Sequence, residues 1–282
     1  MWIAVIPACN EAASITTVLR HLQACHCLAR LLVVANGCTD ATEENARQAA
    51  AAQEDAGSKN TGQEKAGQIE ILSFPEPLGI DIPRAVGASY AQKKYHPLGI
   101  VFVDGDLIGN LTVPVRNLIN GLKQGLDLAL TDCYPDEAPH SALAASVLKA
   151  RETLNKQLKL DTKIGLATPS HGPHAISASL LAQLPPQVLA VPPLALAFAA
   201  LHHYKIGVAA TIAHDLLGSK IRSNDHAAKI AATIIADCKL ALAYATGTTW
   251  PEVLAACTHS EGLMGYQKQR RFDLLNAFLD NF

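Results

Sequence analysis

The segment Val101-Phe102-Val103-Asp104-Gly105-Asp106 runs an apolar strand pattern straight into two carboxylates spaced i, i+2. Residues two apart in an extended chain point to the same side, so both carboxylates converge at the carboxyl end of the strand. In open α/β sheets that end faces the ligand crevice. A hard divalent cation, Mg²⁺ or Mn²⁺, takes oxygen ligands and usually binds through one or two carboxylates plus substrate phosphates. A turn after a strand uses the same residue types, so the pair draws its meaning from its company.

Three further strand ends carry polar punctuation. They are Ile6-Pro7-Ala8-Cys9-Asn10-Glu11, Val33-Val34-Ala35-Asn36-Gly37-Cys38-Thr39-Asp40, and the run from Pro77 through Gly79, Asp81 and Arg84 to Gly87. Carboxylate and amide groups there can read a nucleotide base, and Arg84 at a helix start can pair with phosphate or ribose oxygens. Each segment alone could be helix capping. Four in order are hard to obtain from capping alone.

The elements that must position these ends are short apolar runs alternating with helical patterns. Ile3–Ile6, Leu31–Val34, Ile69–Leu72 and Ile100–Val103 read as buried strands, separated by helices with Ile15, Val18, Leu19 and Leu22 on one face, by an Ala-rich stretch to about Ala52, and by Arg84–Lys94. That alternation predicts a mostly parallel α/β sheet covered on both faces. Gln53–Gln68 reads as a solvated loop inserted in this half. Further on, Asn117–Lys123, Ser141–Leu158, Leu194–His203 and Asp225–Tyr244 read as helices, with strands at Leu126–Leu130 and Val208–Ile212. The basic cluster Lys268, Arg270 and Arg271 reads as a solvated face.

The totals exclude several classes. With 282 residues, 49% of them apolar, the chain can bury a large core and is not disordered. A net charge of −2 argues against a dedicated nucleic-acid binder. The 7 cysteines include no C-x-x-C pair, which points to a reduced, cytoplasmic setting. The start at Trp2-Ile3-Ala4-Val5-Ile6 reads as a strand and not a signal peptide, and Val188–Leu201, interrupted by Pro192-Pro193, is too short for a transmembrane segment. A homodimer is compatible with these totals.

The ordered set resembles glycosyltransferase family 2, with its GT-A fold. That family's P-A-x-N-E motif matches Pro7-Ala8-Cys9-Asn10-Glu11, and its V-V-D-D-G-S-x-D-x-T motif matches Val33 through Thr42, with Ala35 where the family often has an aspartate. Its D-x-D is Asp104-Gly105-Asp106, and Arg84 is the cation of the segment before it. The resemblance is specific over about residues 3–110 and implies one GT-A domain. Residues 1–110 would be its nucleotide-sugar half, 111–223 its acceptor half, and 224–282 a helical C-terminal segment. It implies donor binding by Pro7, Ala8, Asn10, Glu11, Asn36, Asp40, Arg84 and Asp104, with Asp104 and Asp106 as the catalytic carboxylates and Asp106 on the cation.

In the second half, Ser170-His171-Gly172-Pro173-His174 reads as a loop before a helix. It resembles the G-P motif of glucosyl-3-phosphoglycerate synthases, which makes His171, Gly172 and His174 candidates for contacting a hydroxyl or acidic acceptor. A histidine past a late strand often ligates the cation in GT-A enzymes. His214 is the first candidate here and His226 the second, with Lys220 and Arg222 near the leaving diphosphate. Inverting members carry an acidic base where this chain has Val191-Pro192-Pro193-Leu194. The implied activity is hexosyl transfer from a UDP- or GDP-sugar to a hydroxyl of a small or lipid-linked acceptor, with a retaining outcome favoured by the missing base. A sugar-phosphate nucleotidyltransferase and a non-catalytic sugar-nucleotide-binding protein are the rival readings. The first lacks its glycine-rich basic loop after strand one, and intact Asp104 and Asp106 speak against the second.

Overall fold

The computed structural model describes residues 1–57, 66–135, 141–219, 223–256 and 262–282. In its first half β1 (Trp2–Ala8), β2 (Arg30–Asn36), β3 (Gln68–Phe74) and β4 (Gly99–Phe102) alternate with α1 (Ile15–Gln23), α2 (Thr42–Gly57) and α3 (Ile82–Tyr95). Ile15, Val18, Leu19 and Leu22 recur at helical spacing, and all four are buried along one face of α1. The near-continuous apolar runs of β2 and β4 are buried on both faces, as parallel strands between helix layers are. α2 continues to Gly57, past the point where a loop is expected from Gln53, and residues 58–65 of that loop lie outside the described residues.

The second half adds α4 (Thr112–Lys123), β5 (Leu128–Asp132), α5 (Ala142–Gln157), α6 (Asp161–Ile164), β6 (His174–Ser177), α7 (Ala178–Gln183), α8 (Pro186–Leu189), α9 (Pro192–Leu201) and β7 (Ile206–Thr211). The chain then folds into α10 (Asn224–Ala245), α11 (Trp250–Ala256) and α12 (Phe272–Asn281). Ser141 and Ser223 cap α5 and α10, their hydroxyls accepting from the Ala144 and His226 amides. Among the described residues no helix is long and apolar enough to cross a membrane.

All the strands form one seven-stranded sheet in the order β3-β2-β1-β4-β6-β5-β7. Every neighbouring pair is parallel except those made by β6, which runs antiparallel to both β4 and β5. Here the sequence expectation is corrected: residues 174–177 form a strand, not part of a loop leading into a helix. Four residues are too few to display a period, and β6 exists because two buried strands flank it. Its antiparallel course sets His174 opposite Phe102, level with the carboxyl ends of the parallel strands. α10 packs on α5 and α9, and α12 on α3, so the C-terminal helices return to the face that carries the donor-side elements.

Candidate functional site

The D-x-D turn is bound to the loop that follows β1. The Gly105 amide donates to the Pro7 carbonyl at 3.0 Å, and the Ser14 hydroxyl donates to the Gly105 carbonyl at 2.8 Å. A Cβ on Gly105 would stand 3.1 Å from both Ala8 Cβ and the Pro7 oxygen, so a residue without a side chain lets the two loops touch. The flanking Asp104 and Asp106 are left half-buried at the carboxyl end of β4.

The loops after β1 and β2 are laced together. Asn10, in the left-handed region at φ 58, accepts at Oδ1 from the Thr39 amide at 2.8 Å. Asp40 accepts from the Ala12 amide at 3.1 Å and the Thr42 amide at 2.9 Å, and the Thr42 hydroxyl bonds both Asp40 and the Glu11 amide. Asn36 spends both ends of its amide on the next loop: Nδ2 donates to the Gly79 carbonyl at 3.1 Å and Oδ1 accepts from the Leu78 amide at 2.6 Å. Asn36 and Asp40 therefore tie the loops after β1, β2 and β3 to one another.

Arg84 is turned inward, contrary to the expectation that it meets phosphate. It is 8% exposed, pairs with Asp81, and donates through Nη2 to Asp104 Oδ1 at 2.5 Å. Burial works against the Arg84 charge, and Asp104 and Asp81 outweigh it. Desolvation lifts the Asp104 carboxyl above its ordinary value in spite of Arg84, and the neighbouring Asp106 and Asp81 carboxylates push the same way. Asp81 also accepts from Arg270 Nη2 at 2.8 Å, and Arg270 grips Asp237 through two bonds of 2.7 and 2.6 Å. The reading of Arg270 as a solvated cation is thereby overturned: its side chain is fully buried. Lys268 is exposed, and Arg271 pairs on the surface with Glu76 and Asp273.

This network tests whether a cation fits. Among the described residues Asp104, Asp81 and Asp237 answer to two guanidiniums, and Asp106 adds a fourth carboxylate, hydrogen-bonded by the Ser219 hydroxyl at 2.6 Å. The unbalanced negative charge falls at the mouth of β4, on hard oxygen donors, which suits a divalent ion. Among the described residues no three His, Cys, Asp or Glu side chains gather into a metal site. The donor set therefore fits a cation shared with phosphate and not a closed protein cage.

His214, expected to join Asp106 on the cation, contacts His171 here. His214 Nδ1 lies 3.0 Å from His171 Nε2, and the two rings stack at 4.9 Å, with Tyr134 stacked on both. His226, capped into the first turn of α10, bonds the Tyr266 hydroxyl at 2.7 Å. Lys220 and Arg222 lie outside the described residues. Of the acceptor candidates, Gly172 adopts φ 68 with Cys133 Sγ 2.7 Å from where a Cβ would sit. His174 is buried at 3% exposure on β6, stacked on Phe102. Burial, with Arg84 adding, depresses its pKa to about 3, and burial likewise pushes His171 well down.

Arg151 on α5 escaped notice in the sequence. It is 2% exposed, and among the described residues its buried Nε has no partner and no carboxylate contributes to its electrostatics. Desolvation lowers its pKa, with Tyr134, Cys238 and Cys133 the groups that oppose the fall. Neither Arg151 nor Arg270 has a local sequence signature, because each acquires its surroundings from residues far along the chain. The links of Asp81 to Arg270 and of Ser219 to Asp106 have no local signature for the same reason.

Solved structures of glucosyl-3-phosphoglycerate synthase from Mycobacterium tuberculosis resemble this chain. The complex with Mn²⁺, uridine diphosphate and glucosyl-3-phosphoglycerate aligns with a TM-score of 0.57 at 20% identity, over 85% of this chain and 80% of that one. The complex with Mn²⁺, uridine-diphosphate-glucose and phosphoglyceric acid gives 0.55 at 19%, over 85% and 80%. The fold is GT-A. A mycobacterial protein solved by crystallography gives 0.58 at 20%, over 88% and 75%. No protein-family model and no curated protein matches the chain. At this identity the likeness speaks for the GT-A fold, and the chemistry has to be argued from the residues themselves.

Proposed function

We propose that the chain is a cation-dependent glycosyltransferase that moves a hexosyl group from a nucleotide diphosphate sugar to a hydroxyl of an acceptor. The observation that carries this reading is the meeting of Asp104-Gly105-Asp106 with the loops after β1, β2 and β3 at one edge of a GT-A sheet. The crystallised neighbours, solved with Mn²⁺, uridine diphosphate or its glucose ester, support it. Asp106 would hold Mg²⁺ or Mn²⁺ together with diphosphate oxygens. When bound, the cation would offset the charge that develops on the leaving diphosphate.

The chain's own residues supply positioning. Arg84 fixes the Asp104 carboxylate, and the Pro7–Ala8 backbone with Glu11 would border the nucleotide. Pro192, Pro193 and Leu194 are buried apolar residues of α9, so no base stands at that position. A retaining course, in which the leaving phosphate takes the acceptor proton, needs none. On the acceptor side burial pushes the His171 pKa well down, and the buried Nε of Arg151 beside it has no partner among the described residues, which supports an acceptor carrying a carboxylate or phosphate.

A thermal-shift panel of UDP- and GDP-sugars with and without Mn²⁺, followed by assay for released nucleoside diphosphate, tests the reading. Stabilisation that requires Mn²⁺, together with release of diphosphate in the presence of an acceptor, is the expected result. Stabilisation without release would mark a binding protein, and neither effect would end the proposal.

A further inference from the structure

The buried charges behind Asp104 form a continuous chain into the C-terminal segment. Asp104 accepts from Arg84, Arg84 pairs with Asp81, Asp81 accepts from Arg270 at 2.8 Å, and Arg270 holds Asp237 of α10 at 2.6 Å. The middle link is exclusive. Asp81 precedes α3 in the left-handed region at φ 64 and makes no side-chain cap bond to its own helix. Its carboxylate is divided between two arginines, one of them 189 residues away. The same C-terminal segment touches the loop after β3 again, where the Arg271 amide donates to the Leu78 carbonyl at 2.9 Å. Gly79, at φ +84, leaves room for the Gln269 carbonyl, which would stand 1.8 Å from a Cβ there.

We infer that Arg270 is a positioning residue for the cation–nucleotide site, acting through Asp81 and Arg84 on Asp104. Asp81 anchors the Nη1 end of Arg84 and is itself held by Arg270, so loss of Arg270 or of the Asp81 carboxylate leaves Arg84 free to shift. Asp104 then loses the donor that fixes its carboxylate. Partners of this kind, one step removed from a metal ligand, typically alter metal affinity by about 10- to 100-fold. The inference rests on the proposed function for the identity of the ligand, though not for the linkage itself.

The test compares Arg270→Met, Arg270→Lys and Asp81→Asn with the wild-type chain, using titration of Mn²⁺ with UDP. Asparagine tolerates the left-handed backbone at position 81, so Asp81→Asn keeps the test open should Arg270→Met fail to fold. Leu275→Ala on α12 is the control, a buried truncation in the same segment outside the charge chain. Arg270→Met and Asp81→Asn are expected to weaken Mn²⁺-dependent UDP binding about 10-fold or more, and Arg270→Lys to restore part of it. Leu275→Ala is expected to lower Tm without that loss. Wild-type affinity in Arg270→Met or Asp81→Asn, or an equal loss in Leu275→Ala, would overturn the inference. Amide hydrogen exchange across residues 103–109 separates it from the functional reading. If wild-type chain binds no Mn²⁺ with UDP, the function falls. Faster exchange there in Asp81→Asn, and not in Leu275→Ala, still upholds the linkage, and unchanged exchange refutes it.

Discussion

Arg151 and His174 are buried groups whose charged forms desolvation disfavours. A buried guanidinium without a carboxylate is destabilising, and replacement of buried charge by an apolar side chain of similar length commonly raises stability by about 1–4 kcal/mol. Arg151→Met is therefore expected to raise Tm while abolishing thermal protection by inorganic phosphate. A fall in Tm with protection retained would show that Arg151 serves the core and not an anion. His174 gives a pH dependence. Its pKa is about 3 in the fold against an ordinary 6.5, so below pH 6.5 the unfolded chain binds a proton that the folded chain refuses. Stability should fall as pH drops from 6.5 toward 3, by about 1.4 kcal/mol per unit from this residue. His174→Phe, which keeps the stack on Phe102, should flatten part of that slope in denaturant titrations at pH 4.5 and 6.5.

Elements explain which of these residues could be read in advance. β1, β2, β4 and α1 were legible because their apolar residues recur locally, and the polar residues after them fall where strand ends require. β6 was not legible, since His174–Ser177 is a strand only between β4 and β5. The loop after β3 shows how an element can be specified from a distance: its glycine is needed for the Gln269 carbonyl, not for its own turn alone. Gly79→Ala combines a positive φ with that backbone collision, and should cost about 1–3 kcal/mol in chemical denaturation. Gly125→Ala, also at positive φ but with nothing within 4 Å, should cost less. Equal losses would mean that the C-terminal segment does not press on Gly79.

At the scale of the whole molecule, the sheet brings four loops to one edge, and the C-terminal segment closes the charge chain behind them. The four strand-end motifs were readable as a set, since each follows a strand of the parallel run β3-β2-β1-β4 and so falls at the same end of the sheet. What they do individually was less so: Asn36, Asp40 and Arg84 hold the loops together, and His214 joins His171 and Tyr134, because hydrogen-bond partners are chosen in three dimensions. The role proposed for Asp106 is to hold the cation that secures a nucleotide diphosphate at that edge. The most direct measurement is isothermal titration of UDP, with and without Mn²⁺, into wild-type chain and Asp106→Asn. The account predicts that Mn²⁺ tightens binding to the wild type by about 10-fold or more, and that Asp106→Asn remains folded but loses this dependence. Equal Mn²⁺ dependence in the two chains would contradict it.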